Sequence, residues 1–264
     1  MITLLNNRSL IQISGQDSEV FLQSQFSNDI SKIQDNKIQI NAYCQHQGKI
    51  IAIIWVFKKN RKFYLSIPKD LLELVISKLN VFKLLSKVEI LDFSEKIYQY
   101  GLINEANDKA FKISENLSLL TTREPLEHYH NQSQWEKACI DELLPEISLI
   151  MSEKHIPQSL NLDINQMGVS FTKGCYPGQE VVARMHYLGK PKRRLFRFTS
   201  KCEVFIGDSL NVNDSNSLKA SGQVIRVTKN DNEFHFLAVF EVSHTSDQIF
   251  LNSNSNKLVV LENG

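Results

Sequence analysis

The sequence predicts an α+β protein whose C-terminal part forms a separate β-rich unit. Between Ile38 and Phe93 the pattern runs strand, strand, strand, helix, strand, which is typical of antiparallel strands with a helix on one face. From Leu195 to Leu261, short β-rich segments alternate with turns rich in Asn, Ser and Asp, as in a small barrel or sandwich. Of the 264 residues, 42% are hydrophobic and only 10 are Gly and 6 are Pro, which excludes disordered and collagen-like chains.

The N-terminal strands follow from alternation, from an apolar run and from turn residues. The run IIAIIWVF, Ile50 to Phe57, is too short to cross a membrane and is rich in β-branched residues, so it predicts a buried strand. Gln47-Gly48 before it predicts a hairpin turn. Asp17 or Ser18 is predicted to cap a short helix after the first strand. The predicted strands are Arg8 to Ser14, Ile38 to His46, Lys49 to Phe57 and Phe63 to Ile67.

Two longer helices are predicted by periodicity and by helix-start signals. Pro68 is suited to open a helix that extends to about Leu85, because apolar residues then recur at helical spacing on one face. A second helix is predicted near Gln132 to Leu143. The stretch Asn104 to His130 between them gives mixed signals and no firm element. The C-terminal strands are predicted at Leu195 to Thr199, Gly222 to Thr228, Phe234 to Val242 and Lys257 to Leu261.

Charge and cysteine content exclude several classes of protein. A net charge of +1 gives no general attraction to nucleic acids or membranes. The apolar start is broken by Asn6, Asn7 and Arg8, unlike a secretory signal, so we expect a cytoplasmic protein without membrane contact. The four cysteines lie far apart without a Cys-x-x-Cys pair, which predicts free thiols and argues against a closed zinc site.

Residues Ser170 to Arg197 contain the most unusual stretch, with five turn-forming residues, one thiol and a cationic tail. Pro177 is suited to a first helical position, and Glu180 and Arg184 are spaced to pair on one helix face. Cys175 therefore precedes a helix N-terminus and follows Lys173 by two residues, an environment that favours a reactive thiolate. The alternative is that Cys175 is a small buried packing residue.

The segment KGCYPGQEVVAR, Lys173 to Arg184, resembles the signature of the YgfZ family of folate-binding proteins. These are relatives of the aminomethyltransferase (T protein) of the glycine cleavage system and of mitochondrial iron-sulfur assembly factors of that lineage. Three further segments agree in order: FLQSQFSNDI (21–30), AYCQHQGKI (42–50) and HIPQSLNLDINQMGVSF (155–171). The resemblance spans the chain and is weakest across 104–130 and in the last 70 residues.

The resemblance implies a three-domain ring of the aminomethyltransferase folate-binding type, with mostly antiparallel sheets and a C-terminal β-barrel. On this basis residues 1–190 are expected to form the folate-binding region. It would comprise two interleaved α+β domains, the second roughly 38–93 plus flanking strands. Residues 191–264 are expected to form the barrel-like domain. The cofactor implied is tetrahydrofolate or a derivative, held in a central channel.

Two carboxylates are expected to contact the folate. The pterin edge presents adjacent N–H donors that a carboxylate accepts bidentately, so a buried acid is expected. The family's Ile-Glu-Ala-Gly type motif falls at Asp141, where Asp replaces Glu and Leu143 replaces Gly, and Glu142 is a competing candidate. The alternative for either acid is a solvent-facing position on a helix. The second family carboxylate matches Asp29; an Asx turn closing the first helix is the alternative. The further residues expected at the folate are Asn28, Tyr176, Gln179, Glu180 and Arg184, with Cys175 and Lys173 as the reactive pair.

Basic residues after the signature segment suggest a second kind of contact. Arg193, Arg194 and Arg197 alternate with Phe196 and Phe198, and both residue types stack on RNA bases. A charged strand edge or a site for a folate polyglutamate tail are the alternatives. His128 and His130 would share a strand face, but no third ligand is evident and no metal is expected.

The resemblance implies a tetrahydrofolate-binding protein that supports iron-sulfur cluster assembly or repair and, through cluster-dependent enzymes, tRNA modification, and we expect it to be a monomer. Its partners would be iron-sulfur proteins or their assembly machinery. A folate-dependent aminomethyl or one-carbon transferase is the first alternative. An RNA-binding module that uses the three arginines is the second.

Overall fold

The computed structural model describes residues 1–84, 86–127, 131–212, 220–252 and 258–262. Within these ranges the α-helices are α1 (Ser18–Gln25), α2 (Leu72–Phe82), α3 (Gln132–Asp141) and α4 (Gln179–Leu188). In the same ranges, none of the helices has both the length and the apolar character needed to cross a membrane. His128 and His130, considered above as metal ligands, lie outside the described residues.

The strands form three sheets. In chain order they are β1 (Ile2–Leu4), β2 (Arg8–Ser14), β3 (Gln39–Cys44), β4 (Ile50–Lys59), β5 (Lys62–Pro68), β6 (Glu89–Asp92), β7 (Tyr98–Ile103), β8 (Phe111–Lys112), β9 (Leu117–Thr122), β10 (Arg193–Ser200), β11 (Ser209–Val212), β12 (Gly222–Asn230), β13 (Glu233–Glu241), β14 (Ile249–Leu251) and β15 (Leu258–Glu262).

The five-stranded sheet has the order β3-β4-β5-β2-β6, and all its neighbours are antiparallel. The predicted hairpin forms between β3 and β4, and the apolar run of β4 is buried on both faces. Val75 and Leu79 of α2 pack on one face of the sheet. Helix α2 begins at Leu72, after a 3₁₀ turn over Lys69–Leu71, rather than at Pro68. The α+β prediction is confirmed.

The second sheet, with the order β1-β7-β9-β8, was not predicted from the sequence. Its strands β8 and β9 fall in the stretch that gave mixed signals. Strand β8 has only two residues, and the segment before it is polar, so neither length nor alternation marks a strand. Tertiary pairing with β7 completes this sheet.

The C-terminal strands close into a barrel with the order β10-β13-β12-β11-β14-β15. The barrel interior is filled by the aromatic rings of Phe198, Phe236 and Phe240, all fully buried. The sequence left a barrel or a sandwich open, and the structure has the barrel. Closure leaves short strands without free edges, which stabilises strands that would be marginal in an open sheet.

One apolar core joins all three sheets. It contains Trp55 of the five-stranded sheet, Leu119 of the four-stranded sheet and Leu237 of the barrel, with Trp135 of α3 between them. The ring of Trp135 lies so close to Gly101 that a Cβ there would come within 2.4 Å of it. Helix α3 is therefore the element around which the sheets pack.

Candidate functional site

The signature segment starts as an exposed loop and continues into α4. Gly178 immediately precedes the helix with φ +82°, so the first helical residue is Gln179 and Pro177 lies outside the helix. A left-handed residue cannot continue an α-helix, which explains why the start predicted at Pro177 was two residues early. Cys175 accordingly sits in the loop, four residues before the helix.

Lys173 is buried in this loop and binds the backbone of the N-terminal region. Its Nζ donates to the carbonyl oxygens of Gln23 at 2.6 Å and Asn28 at 3.1 Å, and also to that of Phe26. These carbonyls lie at and just after the C-terminus of α1, where helix carbonyls lack intrahelical donors and attract a cation. Burial lowers the pKa of Lys173 to about 8, against an opposing effect of Asp29, so the amine is largely protonated at neutral pH.

Asn28 and Asp29 form the other side of this contact. The Asp29 carboxylate accepts from Gln23 Nε2 at 2.9 Å and from the Ser31 hydroxyl at 2.6 Å, and it caps the following 3₁₀ turn. The hydrogen bond from Ser31 lowers the pKa of Asp29; burial opposes this, and Gln23 and Lys32 lower it further. The Asp29 carboxylate accepts these hydrogen bonds, and one from the Ser31 backbone N–H, at Oδ1. Its other oxygen, Oδ2, lies 3.4 Å from Lys32 Nζ.

Asn28 holds the same loop in place. Its side-chain amide donates to the carbonyl oxygen of Ile40 at 3.0 Å, and its backbone N–H donates to Asn41 Oδ1 at 3.1 Å. The structure thus joins Lys173 to the Asn28–Asp29 turn, two regions 145 residues apart in the chain.

The four segments that resemble the family converge here. Ser27 accepts from the backbone N–H of Ser170 at 2.9 Å, and its hydroxyl accepts from that of Ala42 at 2.8 Å. The turn between β3 and β4 also packs against the start of α4: a Cβ on Gly178 would lie 2.5 Å from the Gln45 carbonyl oxygen and 2.7 Å from Gly48 Cα. The matched segments therefore surround one structural junction.

Cys175 is the exposed thiol of the chain. Cys44 and Cys139 are buried, and burial raises the pKa of each to about 12, while Cys202 is half-buried. At neutral pH the two buried thiols stay protonated and inaccessible. The alternative interpretation of Cys175 as a buried packing residue is therefore wrong.

The other signature residues divide into buried and exposed groups. Tyr176 is buried with its ring 5.2 Å from Lys173 Nζ, and burial raises its pKa. Gln179 Nε2 is 3.5 Å from the Lys173 carbonyl oxygen. Glu180 and Arg184 form the predicted i,i+4 pair at 2.5 Å on the solvent side of α4. This pair lies away from the buried contacts of Lys173.

Asp141 and Glu142 do not occupy the buried position that the pterin argument expects. Asp141 is the last residue of α3, and its side chain is 38% exposed and paired with Lys137 at 2.6 Å and Arg197 at 3.5 Å. Glu142 follows as the helix cap and accepts from Asn116 at 3.1 Å. Both acids lie at the surface because α3 ends here, and in the described chain neither forms a hydrogen bond with the Lys173 loop.

A cleft of about 320 Å³ adjoins the Asn28–Asp29 turn. Its lining includes Lys32, which pairs with Asp29, and Gln39, which donates to the Asp29 carbonyl oxygen at 2.7 Å. Met167, whose carbonyl oxygen faces the Asn28 amide at 3.4 Å, lies on the same wall. The lining combines five apolar residues with polar ones that include Lys32 and Lys37, and a mixed surface with two cations suits a flat ligand that carries negative charge.

The three arginines considered for RNA contact are each paired with an acid. Arg193 binds Glu241 at 2.8 Å, Arg194 binds Asp163 through two nitrogens, and Arg197 binds Asp141. Each pair joins β10 to another part of the chain. This pairing weakens the electrostatic argument for an RNA contact through these three residues, and that contact stays a prediction.

Sequence reasoning missed a buried ionic network at the junction of the sheets. Arg8 pairs with Glu146, and Arg226 of the barrel binds Glu136 of α3 at 2.7 Å. Side-chain exposure is 2% for Arg8 and 4% for Arg226. The available signal was an arginine next to apolar residues in each of two strands, Arg8 at the start of β2 and Arg226 in the middle of β12, since buried arginines need partners. In the described residues no cluster of three metal-ligating side chains occurs.

Comparison with known proteins agrees with the resemblance found in the sequence. No family model matches the chain. An uncharacterized protein of Haemophilus influenzae is 30% identical over 268 residues, which cover 97% of this chain and 94% of that protein. The tRNA-modifying protein YgfZ of Buchnera aphidicola is 31% identical over 77% of this chain and 74% of its own. The tRNA-modifying protein YgfZ of Vibrio atlanticus is 31% identical over 74% of this chain and 68% of its own length.

Among solved structures, the chain is similar to the glycine cleavage system aminomethyltransferase T from Bartonella henselae. The TM-score is 0.71, with all of this chain and 84% of that protein covered, at 10% sequence identity. At this identity the likeness establishes the fold and nothing about activity. With relatives of 31% identity that cover about three quarters of this chain, the chain belongs to the YgfZ family.

Proposed function

We propose that this chain is a cytoplasmic, tetrahydrofolate-binding protein that supports iron-sulfur cluster proteins and thereby tRNA modification. The support is its membership of a family whose relatives are named tRNA-modifying proteins, together with the fold of a folate-related aminomethyltransferase. The one-carbon transferase alternative rests on the fold alone.

The observation that carries this proposal is the Lys173 anchor that presents the Cys175 thiol. Three backbone carbonyls accept from the buried ammonium, so Lys173 has no donor left over for Cys175. Its role is then to position the loop, and the thiol is the reactive group. The cysteines of one chain are unsuited to hold a stable iron-sulfur cluster, because a cluster needs four thiolates and two of the four thiols are buried. A transient reaction at Cys175 fits better.

Of the two expected carboxylates, Asp29 fits a pterin better. Its Oδ2 has an ion-pair partner at 3.4 Å and retains acceptor capacity, and it lies beside the 320 Å³ cleft. Asp141 is engaged by two cations at the surface. We therefore assign the folate contact to Asp29, with Asn28, Tyr176 and Gln179 around it, and place Glu180 and Arg184 outside the contact.

Calorimetric titration with tetrahydrofolate tests the ligand. Asp29→Asn should weaken binding by about 1 to 3 kcal/mol, because an amide places a donor against the donors of the pterin. Asp141→Asn, which leaves the cleft untouched, is the matched control and should bind like the wild type. The absence of both heat and thermal stabilisation at about millimolar folate would overturn the proposal. Turnover of methylene-tetrahydrofolate in the same samples would instead establish the transferase.

A complementation assay tests the thiol. In cells that lack the endogenous family member, Cys175→Ser should fail to restore tRNA modification while the purified variant keeps its melting temperature and folate affinity. Cys202→Ser, which changes another accessible thiol, should restore modification fully. Equal complementation by both variants would show that Cys175 is dispensable.

A further inference from the structure

The C-terminal end of α4 carries an exposed cluster of aromatic rings. His186 stacks on Phe171 with ring centroids 3.7 Å apart and planes 14° apart, and Phe171 itself packs on the core that joins the sheets. Tyr187 makes edge-on contacts with both rings, at 6.2 Å from Phe171 and 4.9 Å from His186 between centroids. Tyr187 is nevertheless 67% exposed. The core therefore holds in place a ring surface that faces solvent.

Two lysines follow this ring surface in the chain. Lys190 and Lys192, directly after α4, are exposed and form no ion pair with any residue that the structure describes. The acids that approach the neighbouring arginines are already occupied, because Glu180 pairs with Arg184 and Glu241 pairs with Arg193. The charges of the two lysines thus stay available to an anion.

Further cations extend this positive surface beside α4. Burial and three neighbouring cations lower the pKa of His155 to about 4, and the cations are Lys154, Arg193 and Lys49. Lys154 is exposed and Lys49 is half-buried, and within the described part of the chain neither forms an ion pair. Lys49 follows Gly48, which packs against the first turn of α4. Lysines thus lie near both ends of the helix that carries the rings.

We propose that this surface binds a single-stranded segment of RNA, with a base stacked on Tyr187 and neighbouring phosphates at Lys190 and Lys192. Rings and lysines together match such a strand, because every base has a face that stacks and every phosphate carries a negative charge. A duplex keeps its bases within its own stack and would leave Tyr187 unused. The choice of RNA over DNA rests on the proposed role in tRNA modification.

Fluorescence anisotropy of the full chain with a labelled single-stranded RNA of about 12 nucleotides tests this surface. The RNA should bind with a dissociation constant below about 10 µM at about 50 mM salt. The logarithm of the binding constant should fall against the logarithm of the salt concentration with a slope of about −1.4 or steeper. This is the slope expected for at least two phosphate contacts on a single strand, at about −0.7 for each.

Variants of Tyr187 separate stacking from general apolar contact. Tyr187→Leu keeps an apolar side chain but removes the ring, so it should weaken RNA binding at least about fivefold. Tyr187→Phe keeps the ring and should bind within about twofold of the wild type. The side chain is mostly exposed, so both variants should fold, and thermal melts verify this.

A pair of double lysine variants tests the phosphate contacts at constant net charge. Lys190→Met/Lys192→Met should weaken binding at least about fivefold and make the salt slope shallower by about 1.4. Lys201→Met/Lys229→Met removes the same charge from two exposed residues at the opposite end of the barrel and should bind like the wild type. Lys229 pairs with Phe234 of β13, seven residues or about 23 Å from the Glu241 that binds Arg193.

Four results would overturn the inference. No rise in anisotropy up to about 100 µM protein would leave the surface to another kind of partner, such as an acidic protein. Equal losses in the two double lysine variants would show unspecific attraction to positive charge. Equal affinity of Tyr187→Leu and wild type would show that no base stacks there. Tighter binding of the matching DNA strand, or of the RNA duplex, would assign the surface to a different nucleic acid.

The RNA measurement is independent of the experiments on folate and on Cys175. It uses purified protein and RNA without folate, and none of its variants changes the Lys173 loop or the Asn28–Asp29 turn. RNA binding without folate binding or complementation would refute the proposed function alone. Folate binding and complementation without RNA binding would refute this inference alone.

Discussion

Lys173 shows how a residue with an apparent chemical role can act through backbone contacts. From the sequence, its place two residues before Cys175 suggested that its charge activates the thiol. In the structure its ammonium is saturated by carbonyls at the end of α1 and in the Asn28–Asp29 turn. Backbone acceptors leave no mark in a sequence, which is why this role could not be predicted.

Lys173→Met should destabilise the protein by about 1 to 3 kcal/mol, because buried carbonyls lose their donor while the chain volume changes little. Urea unfolding measures this loss. Lys190→Met, on an exposed residue just after α4, is the control and should change the midpoint little. Equal midpoints for the two variants would mean that water replaces Lys173 as the donor to these carbonyl oxygens. That result would refute the positioning role of Lys173.

The contact between the β3–β4 turn and α4 depends on two glycines. Gly178 needs a left-handed backbone, and Gly48, with φ +76°, faces it at a distance that admits no side chain. The tight approach fixes where α4 begins and thereby how far Cys175 stands from the helix. An element boundary is here decided by a neighbour 130 residues away in the chain.

Gly178→Ala should destabilise the protein by more than about 1 kcal/mol, because it adds both a strained φ and a clash with the Gln45 carbonyl oxygen. Gly174→Ala is the matched control in the same loop: a Cβ there has no heavy atom within 4 Å, so its effect should be near zero. Thermal melts that compare the melting temperatures of the two variants test this prediction. Similar melting temperatures would refute the interlocking contact.

Prediction from sequence succeeded where local pattern decides structure. The β3–β4 hairpin and the barrel strands follow from apolar runs and turn residues. The contact of Lys173 with the Asn28–Asp29 turn joins residues 145 positions apart and has no such local signal. The four-stranded sheet was missed because β8 has two residues and depends on pairing with β9. The pairing of Asp141 with Arg197 could not be predicted, because Arg197 comes from a distant strand.

At the scale of the whole molecule, apolar and ionic contacts both join the three sheets. The core around Trp135 includes side chains from each sheet, and the network of Arg8, Glu146, Glu136 and Arg226 crosses the same junction. Arg226 also donates to the Leu144 carbonyl oxygen at 2.9 Å. The expected division into residues 1–190 and 191–264 remains a prediction, and these contacts imply that the two parts unfold together.

Arg226→Met tests the network. It leaves Glu136 without its guanidinium and removes a cation from Glu146, so unfolding free energy should fall by about 3 to 5 kcal/mol in urea titrations. The double variant Arg226→Met/Glu136→Gln should recover part of this loss, because it removes the carboxylate left without its partner. Lys229→Met, an exposed change on the same strand, is the control. A double variant as unstable as the sum of its singles would show that the pair does not interact.

The pH dependence of stability gives an independent measure of the same network. Burial alone would raise the pKa of Glu146, but Arg8 and Arg226 lower it by more, so the folded protein holds this carboxylate ionised below its ordinary range. The unfolded chain then binds a proton first as pH falls, and the contribution of Glu146 is present above about pH 4.5 and lost below it. Without Arg226 the burial effect is less opposed, so the loss should begin at a higher pH. Urea midpoints measured from pH 7 to pH 3 should therefore fall earlier for Arg226→Met than for Lys229→Met, and coincident curves would show that Arg226 does not act on Glu146.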